Sequence, residues 1–584
     1  MKLKKQTYLE GAATLIFANI VVKVIGALFK IPLANILEEE GMALFSTAYN
    51  FYTVLFVIAT AGLPVAVSKM VSESIAKGKH KEVNKIFKAA VSLLSILGII
   101  GAVILFFGAK AFANAAGSSG SYLGIIAISP AIFFVSVLSS FRGYFQGMSN
   151  MVPTAISEVI EALGKLLIGL VLAYILMPSG IVAASCGAVL GVTAGTFFAG
   201  LFMIGAYIVN KNKTKVASLP QSYEVRSTRT IFVSLLKIAI PITIGAAVSS
   251  ITNVIDMMMI RQRLQTIMVT PEIFSTLTEY YGLSPLLANI GETIKEKPSE
   301  ILYGAYSGFA IPMFNLPPTI VTALSMSIVP AISGAFATKN YVESQKLTES
   351  TVRITTLFSV PCAVGLSVLS SPILLVVYNN IRSQHMLFIL AFAVIFVCLV
   401  SVTTAILQAT GNVMMPVYNM LAGGIVKIVT NYTLIGIDTV NIGGAPMSTL
   451  LCYITIATLN ILCIKKVINP RLSLNDNIVK PAISSLAMGI AAFGTYNGVA
   501  SLIGAPKFAL ALTFKFIESQ APITPVLSGE RLKTIIALGA AILVAVLVYM
   551  IMIFLVKAIK KEDILMMPKG EKLYKLLTNC KLIS

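Results

Sequence analysis

Long apolar stretches separated by short polar connections set the pattern of this chain. Ala89 to Phe107, Leu166 to Met177 continuing through Ile181 to Val209, and Thr534 to Val556 each have the length needed to cross a hydrocarbon core of about 30 Å. In lipid a segment must satisfy its own backbone polar groups, so these runs predict helices. Runs and breaks along the chain predict spans near 9–36, 42–69, 87–113, 120–146, 153–177, 180–209, 231–260, 301–334, 351–378, 385–409, 414–436, 444–466, 477–504 and 532–557. The expected fold is an all-α polytopic membrane protein of about fourteen transmembrane helices.

The pattern also repeats. FRGYFQGMSNMVPTAISEVIEALGKLLIGL (Phe141 to Leu170) has an echo in TAILQATGNVMMPVYNMLAGGIVKIVTNYTL (Thr404 to Leu434). Gln146 matches Gln408, Asn150 matches Asn412 and Lys165 matches Lys427, all at an offset of 408 − 146 = 262, while Pro153 and Pro416 correspond with a one-residue shift. An earlier pair, GLPVAVSKMVSESIAKGKH and LSMSIVPAISGAFATKN, agrees more loosely. About six helices per repeat preserve orientation, which predicts two parallel lobes, 1–209 and 230–468, with a cytoplasmic linker at 210–229 and a last helix pair and tail in 469–584. Transporters built from such repeats place the substrate path between the lobes.

Composition agrees: 57% of the 584 residues are hydrophobic and 12% charged, which excludes a soluble globular protein. The net charge of +20 does not mean nucleic-acid binding, because the basic residues lie in short connections beside apolar runs. Lys77, Lys79, Lys81 and Lys85, the linker with Lys211, Lys213, Lys215, Arg226 and Arg229, and the tail with Lys557, Lys560 and Lys561 mark one side. The connections Glu38 to Gly41, Gly117 to Ser121 and Asn441 to Gly444 carry no Lys or Arg, so both termini are expected to be cytoplasmic. Arg261, Arg263, Lys295 and Lys297, in an outer loop expected to hold short interfacial helices, are the main exception. The first run is too long for a removed signal peptide and lacks its cleavage pattern, so it is expected to stay as an anchor. Six scattered cysteines without a CxxC pair and two histidines near loops give no expectation of a metal or cofactor.

Polar residues inside the apolar runs are the candidates for mechanism. Asn19, Lys23 and Lys30 fall within roughly 40° of one another on the first helix. Lys23 lies roughly 21 Å past Leu9, too deep for easy snorkelling, and an unpaired lysine there costs on the order of 3 kcal/mol. One reading is a cationic wall for an anionic head group such as a diphosphate; the other has Lys23 neutralised by an intramembrane carboxylate and Lys30 snorkelling outward. Glu158 and Glu161 either pair with Lys23, bind a coupling cation (sodium or proton), or complement the start of their helix, with Lys165 one turn beyond Glu161. Arg142 and Gln146 either receive a phosphate entering from inside or snorkel at the interface. Asp256 is a candidate cation or proton site, or a local partner of Arg261 or Arg263. Pro312, Asn315, Pro317 and Pro318 predict a broken eighth span, read as a gate or as a bent packing helix.

LFKIPLANIL (Leu28 to Leu37), GLPVAVSKMVSE (Gly62 to Glu73), FRGYFQGMSNMVPTAISEVIE (Phe141 to Glu161) and LPPTIVTALSMSIVPAIS (Leu316 to Ser333) resemble the stage V sporulation protein B and polysaccharide-transporter branch of the multidrug/oligosaccharidyl-lipid/polysaccharide superfamily. That branch is similar to the MurJ-type lipid II flippases. The resemblance implies a V of two lobes, a final helix pair with a groove for a lipid tail, and export of undecaprenyl-diphosphate sugars across a bacterial cytoplasmic membrane by alternating access. It implies a carrier and not an enzyme, powered by an ion or by the membrane potential. Its partners are then membrane lipids, a lipid-linked sugar diphosphate and the enzymes of envelope synthesis. By position Lys23 stands where the family has an arginine, and Lys30 lies one place from a second. Three other MurJ-type charges fall on or near Phe45, Ile58 and Ile311, so the resemblance implies the branch and not lipid II in particular. A drug/cation antiporter of the same superfamily would rest on acids in the lobes, a membrane glycosyltransferase on an acidic outer loop, and a non-transporting scaffold on none of these residues.

Overall fold

The computed structural model describes residues 8–213, 226–267, 296–437, 439–509, 528–560 and 563. All regular structure among them is helical. The linker segment 214–225, the interfacial helices expected within 261–299, which fall on 268–295, and most of the connection near 505–530 lie outside the described residues.

The helices are α1 (Tyr8–Thr60), α2 (Leu63–Ala76), α3 (His80–Ala115), α4 (Tyr122–Gly147), α5 (Val152–Leu176), α6 (Ile181–Lys213), α7 (Thr228–Ile267), α8 (Glu296–Gly304) and α9 (Ile311–Phe314). They continue with α10 (Leu316–Ala337), α11 (Tyr341–Val368), α12 (Ser370–Tyr378), α13 (Gln384–Ala409), α14 (Met414–Ile435), α15 (Gly444–Val467), α16 (Lys480–Ile503) and α17 (Ser528–Leu555). Among the described residues eleven stretches are long and apolar enough to cross a membrane. The first of them, Phe17–Ala76, is 60 residues long, several times the thickness of a hydrocarbon core. The chain divides it at Glu38, whose φ of 52° and ψ of −163° cannot continue a helix, and again before Pro64. The discontinuous eighth segment is not among the eleven, nor is α14, whose apolar run is interrupted by Asn419, Lys427 and Asn431.

Helix boundaries recur at the spacing of the sequence repeat. From α4 to α13 the first residues differ by 384 − 122 = 262 and the last by 409 − 147 = 262. Both helices end in the same way, with the Asn150 N–H donating to the Phe145 carbonyl and the Asn412 N–H to the Leu407 carbonyl, each at 3.0 Å. Such a cap needs a left-handed residue just before the asparagine, and Ser149 (φ 57°) and Gly411 (φ 86°) supply it.

Contacts group the chain into two compact units, one of Met1–Gln262 with Ser299–Gly304, the other of Arg263–Pro298 with Ala305–Ser584. In the first, Leu63, Val67 and Met70 of α2, Phe87 of α3, Phe145 of α4 and Leu235 of α7 form one buried cluster. Gly62 sits so close to α7 that an added Cβ would lie 2.2 Å from the Ala239 carbonyl oxygen, so no larger residue fits. In the second, Met488 and Tyr496 of α16 pack with Ala537 and Ala541 of α17, while Val352, Leu399 and Ile456 join α11, α13 and α15.

Candidate functional site: a charged cavity in the first unit

A cavity of about 310 Å³ opens within the first unit, between both halves of α1 and helices α4, α5 and α6. Asn19 and Phe29 come from the first half of α1, Tyr49 and Tyr52 from the second, Arg142 from α4, and Glu158, Glu161 and Lys165 from α5. Residues 158, 161 and 165 lie three and four apart, so one face of α5 presents all three.

Arg142 is almost fully buried and its guanidinium points inward, not to an interface. Its Nε donates to Ser157 Oγ at 2.9 Å and an Nη donates to Glu161 Oε2 at 2.9 Å. Ser157 Oγ in turn donates to the Thr154 carbonyl, so a short chain of hydrogen bonds locks the fork in place. Glu161 is therefore used by α4 and does not pair with Lys165. The Lys165 ammonium lies over the rings of Tyr49 (4.8 Å) and Phe29 (5.3 Å), with the Tyr49 hydroxyl 3.5 Å away. Such cation–π contacts are worth about 0.5–2 kcal/mol. Glu158 carries the other conspicuous group: its Oε2 is buried and has no hydrogen-bond partner among the described residues.

The residues singled out on the first helix separate. Asn19 lines the cavity, Lys30 is half-buried, and Lys23 is exposed and makes no ion pair among the described residues. Lys23 and the α5 acids are thus not joined, and Lys165 is the lysine that reaches the cavity. The sequence did carry a signal for it, the repeat match to Lys427 and its place one turn beyond Glu161, but the roles it suggested there were for the two acids. Gln146, one turn beyond Arg142, is half-buried and does not line the cavity.

Asp256 is half-buried on α7. Arg261 turns instead to Glu300, at 2.8 Å, and Arg263 donates to the Tyr432 carbonyl at 3.2 Å in the second unit. The broken eighth span is present, with its discontinuity at Asn315 between α9 and α10. Pro317 and Pro318 occupy the first turn of α10, where a missing N–H costs nothing, so they start a helix and do not kink one. Pro312 sits in α9, preceded by a π-helical turn at Ala305–Ala310 that the sequence pattern did not announce. Among the described residues no group of three His, Cys, Asp or Glu could hold a metal ion.

These features define a multi-pass helical membrane protein with a mixed-charge cavity among its spans. The chain belongs to the family described as Polysaccharide biosynthesis protein, which it matches over residues 8–336, more than half of its length. Residues 299–499 match the family described as Lipid II flippase MurJ. Stage V sporulation protein B of Bacillus subtilis (strain 168) is 25% identical over 465 residues, covering 80% of this chain and 85% of that protein. Lipid II flippase MurJ of the same organism is 26% identical over 479 residues, 78% of this chain and 82% of that protein. A solved structure of lipid II flippase MurJ in an inward closed conformation superposes with a TM-score of 0.61 at 15% identity, covering 93% of this chain and 98% of that one, which shows a shared fold. The resemblance noted in the sequence motifs therefore holds.

Proposed function

We propose that this chain carries a lipid-linked, phosphate-bearing saccharide precursor of the cell envelope from the inner to the outer leaflet, with Lys165 as the cation that meets the phosphates. One observation carries the assignment: Lys165 stands in the cavity wall against two aromatic rings with no carboxylate paired to it among the described residues. An ammonium held there is stripped of much of its water, and a multiply charged oxyanion is the ligand that replaces it best. Arg142 cannot serve in the same way, because Glu161 and Ser157 already hold its fork. The relative named a lipid II flippase supports the substrate class of sugar diphosphates on a lipid.

In this reading Phe17–Ala76 counts as two spans and α10 and α14 as one each, which gives about fourteen spans in two six-helix lobes and a last pair. The protein works as a carrier by alternating access in a bacterial cytoplasmic membrane, both termini inside, with the gate in the broken segment around Pro312 and Asn315. Glu158 supplies the site for a coupling proton or sodium ion, or else the membrane potential drives export. Enzymes of envelope synthesis supply and consume the cargo. Lys23 and Lys30, which do not line the cavity, contribute less than Lys165.

The test is lipid-linked precursor reaching the outer leaflet, normalised to protein in the membrane. Lys165→Ala should lower it at least about tenfold and Lys165→Arg should keep most of it, since one lost contact of a charged group is worth about 1.5–3 kcal/mol; Lys23→Ala should lower it only a few-fold. Normal export by Lys165→Ala removes the residue from the mechanism. The unpartnered Glu158 oxygen favours a second reading, a cation antiporter using the same cavity. That reading predicts that Glu158→Gln stops efflux of a cationic dye while Lys165→Ala leaves it intact.

A further inference from the structure

Arg261 is among the largest side chains in the molecule with no exposure at all, and it stands well away in sequence from every residue of the cavity. Its guanidinium gathers parts of the first unit that are distant along the chain. It donates to Thr47 Oγ1 of α1 at 3.0 Å, to the Gly117 carbonyl after α3 at 2.9 Å, and to Glu300 Oε1 of α8 at 2.8 Å. Ser118 Oγ donates to the same Glu300 oxygen at 2.6 Å, and the ring of Tyr303 lies 5.8 Å from the guanidinium carbon. The Asn50 amide donates to the Tyr303 hydroxyl at 3.2 Å. Gly304 ends the segment against the Glu39 backbone, so close that an added Cβ would lie 1.8 Å from the Glu39 oxygen.

The network is incomplete where it matters. Arg261 Nε is buried with no hydrogen-bond partner, so a buried charge is left partly unsatisfied. A buried ion pair contributes little net stability even when fully bonded, and less when a donor is stranded. Its attested use is to specify one arrangement among several. Immediately beyond this clamp the backbone changes character. Gly304 is the last α-helical residue, and Ala305–Ala310 form a π-helical turn. The second unit resumes at Ala305, whose carbonyl accepts from Ser383 Oγ at 2.8 Å, while the Tyr306 hydroxyl bonds Thr449 Oγ1 at 3.0 Å. The clamped segment and the π-turn are thus anchored separately, and π-turns are places where a helix bends without losing all its hydrogen bonds.

We propose that Arg261–Glu300 is a releasable latch: it holds Ser299–Gly304 against α1 and the turn after α3 in the state described here, and the segment leaves that position about the Ala305–Ala310 turn during the working cycle. The proposal rests on the carrier reading for its purpose and not for its geometry. Release moves six residues whose contacts include Arg261 and Ser118 at Glu300 and Asn50 at Tyr303, and the absence of a side chain at Gly304 lets the backbone reseat against Glu39.

The test uses the full chain with its six native cysteines replaced, carrying one new cysteine at Ser299, which is fully buried on the latched segment. A second variant carries the cysteine at Ser140, equally buried in α4 and remote from the latch. Modification by the membrane-permeant thiol reagent N-ethylmaleimide is followed in native membranes. If the latch releases, Ser299→Cys reacts at least about tenfold faster than Ser140→Cys, the ratio set by an opening equilibrium about 1.4 kcal/mol more favourable. Adding Glu300→Gln should accelerate Ser299→Cys further and leave Ser140→Cys protected. Equal protection at both positions in the parent background overturns the proposal, whether or not the Glu300→Gln chain folds. No transport is measured, so failure of the latch leaves the carrier reading standing. Loss of the carrier reading through Lys165→Ala would leave the labelling ratio unchanged.

Discussion

The corner where α4 meets α5 and the corner where α13 meets α14 are copies with opposite chemistry. In the first, Arg142, Ser157 and Glu161 form an ionic chain beside a cavity. In the second, the Asn460 amide donates to the hydroxyls of Thr403 (3.0 Å) and Thr404 (3.2 Å), and the Asn419 amide donates to Asn460 Oδ1 at 2.8 Å. The offset of 262 places Thr404 at the position of Arg142, Asn419 at that of Ser157, Met420 at that of Glu158 and Gly423 at that of Glu161. Every charge of the first corner except Lys165 is absent from the second, yet α4 and α13 begin and end at matching positions and α5 and α14 begin at them. The fold of the corner therefore does not require the ions. They are additions to one copy, and that copy is the one with the charged cavity.

The largest difference between the corners should appear when one partner is removed. Glu161→Ala leaves the Arg142 guanidinium buried against Ser157 alone, and breaking a buried pair in this way costs about 3–5 kcal/mol. Asn460→Ala removes neutral hydrogen bonds in the second unit and should cost about 1–3 kcal/mol. Thermal unfolding of the purified protein in detergent should rank them in that order. If Asn460→Ala proves the more damaging, the ionic chain is not what holds the first corner.

A sharper form of the same comparison replaces the charges together. Arg142→Thr, Ser157→Asn and Glu161→Gly in one chain give the three positions of the ionic chain the residues of the second corner, with Glu158 kept. Removing both ions at once avoids stranding either, so stability should fall by less than in Glu161→Ala alone, about 1–2 kcal/mol. Export of the precursor should still drop at least about tenfold, because a shift of that size in binding needs only about 1.4 kcal/mol. A stable triple variant with full export would show that the ions are inherited packing with no part in the path.

The two corners also show what a sequence discloses. Helices were legible because hydrophobic runs of spanning length have few alternatives, and the repeat was legible because Gln146, Asn150 and Lys165 recur at one spacing. The broken eighth span was visible in Pro312, Pro317 and Pro318, but not that two of these prolines sit harmlessly in a first turn. Side-chain pairing was the least legible. Glu161 and Lys165 are one turn apart, which favours a local pair, yet a fixed guanidinium from α4 outcompetes a flexible ammonium for the carboxylate. Lys23 drew attention by its depth and by the stripe it shares with Asn19 and Lys30, but neither says which way that face of the helix turns. The π-turn at Ala305–Ala310 was not announced by the hydrophobic pattern; the structure shows it held by Ser383 at the Ala305 carbonyl and by Thr449 at the Tyr306 hydroxyl.

The smallest expected effect lies in the caps that close α4 and α13. Both need a left-handed residue, and the second copy has Gly411 where the first has Ser149. A side chain in that conformation costs about 1–2 kcal/mol, offset by about 0.4–1 kcal/mol because glycine has more freedom to lose on folding. Ser149→Gly should therefore stabilise by about 0.5 kcal/mol. Gly411→Ser should destabilise by more than that gain, about 1–2 kcal/mol, because its φ of 86° lies further from the well that L-residues tolerate than the 57° of Ser149. Paired thermal unfolding measurements would detect the asymmetry even where each shift is small. Export should be unchanged in both, since neither residue lines the cavity. Opposite signs with the larger effect at 411 would mean that the two caps follow one backbone rule, and that the copies differ only in how well their residues obey it. Equal and opposite shifts would mean instead that the difference in φ carries no energy, and a loss of export by Ser149→Gly would place this turn in the mechanism.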